Sequence, residues 1–382
     1  MKRENDINNF IFINKDSMRI AVTHLSLIIL SCIIPQFKFT PTQEYKDFTS
    51  WMISNGAFIS SKLVPIETDL SNRYVITKER IEKKEEILFV PNDIIISVLH
   101  KSVSPICRSK LGYSDDNDFN CLVLFMLFDM FDHHSFFKPY YNYMPDFVDE
   151  NNPIIYSKDL IEKYKVTELE SEIDLGKQYL KHSFDSIKQF MPKSRTIEEF
   201  EKIFLLVGSR NFGRRGSIFH ETNSMVPYLD LFNHVNNFNT FYYFNDKRNG
   251  YVLFAMRPIE KNEEVTVSYG RINNLHLFNV YGFTLKNNEH KINLHISLLG
   301  HKYTLDGNIK VDEIIKIRDR VLERNKLSHD DSLKQLKKVL VLRKLEYNKI
   351  STSNINIINI INEEKETISK YIEIIDNFLS TK

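Results

Sequence analysis

The sequence predicts an α+β protein: a β-rich core carrying a helical insertion at about 116–205, followed by an all-α C-terminal domain over 296–382. Three patterns lead there. Short runs of alternating or β-branched residues recur at 74–77, Glu86–Pro91, 241–244, 251–256 and 265–269, the pattern of strands with one buried face. Between them, 121–131 is apolar without alternation, and 157–205 combines helical periodicity with abundant charge. From Val311 to Lys382 the pattern is helical, broken only by a polar stretch near 351–356.

Taken in order, the chain begins with an extension, 1–40, whose apolar run 20–34 follows Lys2, Arg3, Lys15 and Arg19. A membrane span needs about 20 apolar residues, so no stable span is expected. The run has the length of a signal-peptide or organellar-leader core, but His24, Ser26 and Ser31 interrupt it and no small-x-small cleavage site follows. A docking helix or strand fits equally. Two expectations for location therefore stand: cytoplasmic or nuclear, or organellar or secretory entry through 1–40. Next, Phe48 and Trp51 open a short amphipathic helix ended by Gly56. The strand EILFVP is followed by a second strand at 93–98, and the 121–131 run is long enough for a buried helix. At 245–250, Asn-Asp and Asn-Gly pairs predict a turn between two strands.

Composition sets the class. At 382 residues, 42% hydrophobic and 26% charged, the chain is that of a globular protein with two or three units sharing cores. A net charge of +1 gives no electrostatic case for nucleic acid. The basic run at 316–324 alternates with acids and reads as a solvated helix face. Cys32, Cys107 and Cys121 are too scattered for a disulfide framework or a Cys-rich zinc site, and no metal site is expected. Glycine is scarce, 11 in all, so glycines beside motifs are expected to serve backbone geometry.

Two segments carry the chemistry. VPYLDLFNHVNN (226–237) places Asn233 beside His234 at the end of an apolar run; EEVTVSYGRINNLHLFNVYGF (263–283) delivers Tyr269-Gly270 and Tyr281-Gly282. In this order they resemble the signature of SET-domain protein methyltransferases, in the version of the Rubisco large-subunit methyltransferase-like class. Four further segments extend the resemblance: FTSWMISNGA (48–57), EEILFVP (85–91), SFFKPYYNYMP (135–145) and FEKIFLLVGSRNF (200–212). It covers about 45–295, which places the SET catalytic domain at 41–295, and more loosely a helical substrate-binding tail.

The resemblance implies a knotted SET core, threaded through one of its own loops, and a cofactor, S-adenosyl-L-methionine. It implies that Asn233 and His234 contact the cofactor, that Arg210 pairs with its carboxylate through a planar guanidinium, and that Asp230, Asn72, Arg73, Tyr269 and Phe283 complete the cofactor site. Tyr269 is the implied catalytic residue, while Phe212, Tyr281 and Arg210 face the acceptor; the insertion and the tail would wall the substrate groove. Phe212, two residues after the motif arginine, favours lysine over histidine, because a phenyl wall suits an aliphatic stem. The expected activity is methylation of a lysine amine in a non-histone protein by a monomeric enzyme. Alternatives are a protein-histidine methyltransferase, or an inactive scaffold binding a partner. The chain departs from the family at 71–75, Ser-Asn-Arg-Tyr-Val, where a G-x-G is usual. Asn72 can adopt a left-handed conformation in place of one glycine; Tyr74 replaces the other less easily.

Overall fold

The computed structural model of the chain describes residues 41–67, 73–111, 117–145, 152–213 and 223–381. The apolar run 20–34 and Asn72 lie outside them. Helix α1 (Gln43–Ser54) buries Phe48 and Met52, four apart and therefore on one face. The amides of Gly56 and Ala57 close back onto Ile53 and Met52, with Gly56 at φ +88°. Strands β1 (Phe58–Ile59), β2 (Leu63–Glu67), β3 (Arg73–Thr77) and β4 (Glu86–Pro91) follow, β2 and β3 pairing from Leu63↔Thr77 to Glu67↔Arg73. The strand expected at 93–98 is shorter than the sequence suggests. Asn92–Ile94 forms a 3-10 turn, and only β5 (Ile96–Ser97) joins a ladder. Ile94, Ile95 and Ile96 are all fully buried, and a continuous apolar run does not reveal where the chain turns.

Helix α2 (Ser104–Lys110) precedes the insertion, which is helical: α3 (Asp118–Asp129), α4 (Lys138–Tyr143), α5 (Lys158–Glu162), α6 (Leu169–Ile187) and α7 (Ile197–Arg210). Helix α3 has no polar face over 121–127, which is why its sequence lacks any amphipathic signal. Helix α7 starts at a reciprocal cap. Thr196 Oγ1 accepts the Glu199 amide at 3.2 Å, and the Glu199 carboxylate accepts the Thr196 amide at 2.8 Å.

Then come β6 (Asn211–Phe212), β7 (Ser224–Met225), β8 (Asn233–His234), β9 (Thr240–Asn245), β10 (Gly250–Ala255) and β11 (Thr266–Val267). The largest sheet has the order β1-β4-β10-β9, antiparallel throughout; β5-β7-β6 form a second, and β8 pairs with β11 in parallel. Helix α8 (Asn274–Tyr281) leads to a hairpin, β12 (Leu294–Leu298) and β13 (His301–Leu305), turned by Leu299 and Gly300, both at positive φ. Strand β12 alternates buried and exposed, a local pattern that adds strands ahead of the C-terminal helices. Helices α9 (Val311–Asn325), α10 (His329–Tyr347) and α11 (Ile355–Ser380) complete the chain, starting at Val311 where the helical periodicity begins.

Two apolar cores result. One gathers the main sheet, α1, α3, α4 and α7. The other joins the β12–β13 hairpin and α9–α11 to Leu169 and Ile173 of α6 and to Leu275 and Phe278 of α8. Among the described residues no helix is long and apolar enough to cross a membrane.

Candidate active site

The entry to the site is a strained turn. Tyr228 sits at φ +69°, a conformation that costs a bulky residue roughly 1–3 kcal/mol. It is held by packing: its ring lies 6.2 Å from Phe48 and 6.0 Å from Phe232, and its hydroxyl is 3.2 Å from that of Tyr45. Beyond the turn Asp230 points into the core. Its Oδ2 accepts the Tyr140 hydroxyl at 3.0 Å and Arg210 Nη1 at 3.3 Å, and the same Nη1 donates to the Asp230 carbonyl at 2.9 Å. Burial raises the Asp230 carboxyl above its ordinary range, and Arg210 and Tyr140 pull the other way. Tyr140 in turn stacks on Phe48, 5.8 Å between centroids. Phe48, Tyr140, Arg210 and Asp230, scattered over the sequence segments quoted above, therefore form one contiguous group.

Residues 262–267 run between two other segments. On one side Thr77 donates to the Glu263 carbonyl at 3.1 Å and Val265 to the Val75 carbonyl at 2.7 Å; on the other, β11 pairs in parallel with β8. Asn239, which the sequence does not single out, fastens this arrangement. Its side chain donates to the Glu264 carbonyl at 2.7 Å and accepts the Thr266 amide at 2.8 Å. Asn233 is exposed. Its Nδ2 donates to the Arg73 carbonyl at 3.1 Å and to Glu264 Oε1 at 3.0 Å, while its Oδ1 accepts no hydrogen bond among the described residues. Arg73 thus meets the site through its backbone. Its guanidinium lies 4.5 Å from the Tyr143 ring, donates to the Tyr143 carbonyl and pairs with Glu67 at 3.3 Å.

His234 Nδ1 lies 3.3 Å from the Tyr269 amide and 3.4 Å from the Val267 carbonyl. One ring nitrogen cannot both accept and donate. The amide N–H can only donate, so Nδ1 is the acceptor and Nε2 carries the proton. Burial lowers the imidazole below its ordinary value, consistent with a neutral ring. Nε2 is then a buried donor with no partner among the described residues, as Asp230 Oδ1 is a buried acceptor with none.

Tyr269 is half-buried against this ring, stacked at 5.2 Å and 21°, with Tyr281 on it at 4.8 Å and 33°. Its hydroxyl donates to the Phe232 carbonyl at 3.0 Å. Burial raises the phenol above its ordinary value of 10, so it stays protonated at neutral pH. Both Tyr-Gly pairs use glycine for a positive φ: Gly270 at +130°, and Gly282 at +79°, where it caps α8 by donating to the Phe278 carbonyl at 3.0 Å. The Phe283 ring lies 6.3 Å from Tyr281.

Tyr281 also lines a cleft of about 420 Å³ between α6, α7 and α8, together with Glu172, Leu175 and Tyr179 of α6 and Phe204 and Gly208 of α7. At Gly176 a Cβ would come within 2.9 Å of Asn279 Nδ2 and 3.0 Å of Ile154, so glycine permits the approach of α6 to α8. Phe212 does not line this cleft. It is buried, its ring edge-on to Tyr242 at 5.4 Å. Asn211 lines it instead, its amide engaged by the Val207 and Gly208 carbonyls. The sequence resemblance implies the C-terminal helices as a wall, yet the lining ends at Tyr281. Among the described residues no three His, Cys, Asp or Glu side chains gather as a metal site.

A parallel β8–β11 pair flanked by β3, with an Asn-His step on one strand and a half-buried tyrosine beyond the other, defines the class. The SET domain family model matches residues 72–270, just over half the chain, and the chain belongs to the SET domain family. Among curated relatives it is 22% identical over 268 residues to N-lysine methyltransferase setd6 of Salmo salar, covering 65% of this chain and 59% of that protein. It is 22% identical over 254 residues to SET domain-containing protein 4 of Artemia parthenogenetica, covering 64% and 63%. The chain thus spans about three fifths of the length of these relatives. Its fold is similar to the SET domain of LSMT bound to lysine and AdoHcy, with a TM-score of 0.65 at 15% identity, over 88% of this chain and 92% of that one. It is also similar to Rubisco LSMT bound to AdoMet, with a TM-score of 0.64 at 15% identity, over 89% and 92%.

Proposed function

We propose that the chain is an S-adenosyl-L-methionine-dependent methyltransferase acting on the side-chain amine of lysine in a protein, and a non-histone one, in keeping with the class it resembles. The observation that carries this reading is the setting of Tyr269. Its neutral hydroxyl rests on the Phe232 carbonyl, its ring is packed between His234 and Tyr281, and the cleft opens beyond Tyr281. The name N-lysine methyltransferase carried by several relatives supports lysine as the acceptor.

The residues present fit the cofactor. Asn233 is exposed and its amide oxygen accepts no hydrogen bond among the described residues, which suits it to an ammonium group. Arg210, anchored by Asp230, suits a carboxylate. The buried His234 Nε2 and Asp230 Oδ1 are polar atoms still needing partners. When bound, S-adenosyl-L-methionine supplies a methyl group on a positively charged sulfur. The protein's part is alignment and desolvation. A lysine amine must first lose its proton, at roughly 4 kcal/mol near pH 7.4. A wall of Tyr269, Tyr281 and a neutral His234 disfavours the ammonium and so lowers that cost. The Tyr269 oxygen, its own proton directed at Phe232, is left to accept an N–H from the incoming amine and orient it.

The test is transfer of labelled methyl to a lysate of the source organism, with mass spectrometry of the labelled residue, beside calorimetry of cofactor binding. Labelled lysine is expected. Label on histidine overturns the acceptor assignment, and absence of cofactor binding overturns the catalytic reading.

A further inference from the structure

Helix α11 carries two adjacent buried acids in an otherwise isoleucine-rich helix. Glu364 is fully buried, Glu363 nearly so, among Ile357, Ile360, Ile361 and Ile368. Buried carboxylates are costly, and apolar residues of similar size generally give a stabler core. What the acids hold explains their presence. Glu363 Oε2 accepts Asn274 Nδ2 at 2.8 Å, and its Oε1 accepts the Ile292 amide at 2.8 Å. Asn274 is the first residue of α8; its side chain also donates to the Leu285 carbonyl and accepts the Leu285 amide, at 3.0 and 2.9 Å. Glu364 Oε1 accepts the amide of Glu168, the cap residue of α6, at 3.0 Å; its Oε2 accepts the Tyr347 hydroxyl at 2.6 Å. Arg343 of α10 pairs with Glu168 at 2.7 Å and lies 3.9 Å from Glu364.

Neighbouring side chains on α11 therefore reach the N-terminal ends of two different helices, where partial positive charge favours a carboxylate. Those helices, α6 and α8, are two walls of the cleft: Glu172, Leu175 and Tyr179 follow over about three turns from the first anchor, Tyr281 within two of the second.

We propose that Glu363 and Glu364 are positioning residues: through them α11 sets the spacing of the two cleft walls, and so the fit of the acceptor protein, without touching it. This rests on the reading of the cleft as the acceptor's entry. The C-terminal helices then act on substrate choice from behind the cleft.

The test uses the full chain carrying Glu363→Met or Glu364→Met, which keep side-chain volume and remove the acceptors, and Glu363→Gln or Glu364→Gln, which keep one. Hydrogen exchange read by mass spectrometry needs no activity. The proposal expects at least about fivefold faster exchange over 274–285 in the Glu363 variants and over 168–179 in the Glu364 variants. Acceleration confined to 355–380 overturns it. Should the Met variants fail to fold, the Gln variants are read on the same segments. On a protein acceptor, KM is expected to rise at least about fivefold, with kcat and cofactor affinity within about twofold, and Gln restoring part of the Met defect. A fall in kcat at unchanged KM overturns the proposal. A wild-type chain that transfers no methyl counts against the proposed function, while the exchange measurement still decides the positioning role.

Discussion

At the scale of single residues, the roles separate by what each polar atom can still accept. Tyr269 has a protonated hydroxyl aimed at a carbonyl and an oxygen left to accept a further hydrogen bond, from an amine in the function proposed above. Tyr269→Phe keeps the ring stacking and removes that oxygen. We expect turnover to fall by roughly 10²-fold with cofactor affinity nearly unchanged; unchanged single-turnover rates would remove the residue from the mechanism. Gly282 is needed for a different reason, its φ of +79° at the end of α8. Gly282→Ala is expected to cost about 1–2 kcal/mol in urea unfolding and to loosen Tyr281 beside it. Asn233, His234 and Tyr269 were readable from the chain because a short motif fixes them in order. Asn239 was not: it is one asparagine in an Asn-rich chain, and only its hydrogen bonds to Glu264 and Thr266 distinguish it. Phe212 shows the reverse, since its neighbour Asn211, not its own ring, reaches the cleft.

At the scale of elements, the strands and helices announced by strong periodicity lie where expected, and those decided by tertiary contact do not. The 93–98 run reads as a strand because it is apolar, and the fold turns it at Asn92–Ile94. The paired acids of α11 are not singled out by any sequence pattern; only the folded chain carries them into the interior. Packing of elements is tight where glycine marks it. A Cβ on Gly250 would lie 2.4 Å from the Val90 carbonyl and 2.7 Å from the Phe89 ring, across the β4–β10 ladder. Gly250→Ala should therefore cost about 1–3 kcal/mol, seen as a lower denaturation midpoint; an unchanged midpoint would show that β10 yields freely there. Phe48 links α1 to Tyr140, Tyr143 and Tyr228 in one stack. Phe48→Ala is expected to cost about 3–5 kcal/mol and, by releasing Tyr140, to weaken cofactor affinity along with stability. Full cofactor affinity in a folded variant would uncouple the stack from the Asp230–Arg210 pair.

At the scale of the whole molecule, buried ionisable groups make stability depend on pH with a definite sign. Burial, helped by the Glu168 carboxylate (itself paired with His295), raises Glu364 from 4.5 to about 7, against Arg343, Tyr347 and the backbone amide of Glu168. The folded chain then holds a proton that the unfolded chain has lost, so this contribution is complete below about pH 4.5, falls as pH rises, and is gone above about 7. At about 1.4 kcal/mol per unit it is on the order of 3 kcal/mol. Urea unfolding at pH 5 and pH 8 should show a smaller loss in Glu364→Gln than in wild type; equal losses would refute it. His234, lowered by burial, works oppositely, withdrawing stability as pH falls below 6.5. The run at 262–267 also has a consequence in time. It is clasped by β3 and β8, and Asn233 reaches Arg73 across 160 positions. Contacts so distant in sequence close slowly, and on a ribosome they cannot close until both partners have emerged. A nascent chain stopped before this run would carry β3 and β8 as open edges, ready to pair with a stranger. The tyrosine just beyond it is fixed in place only as β11 seats, so a half-made chain has no finished site.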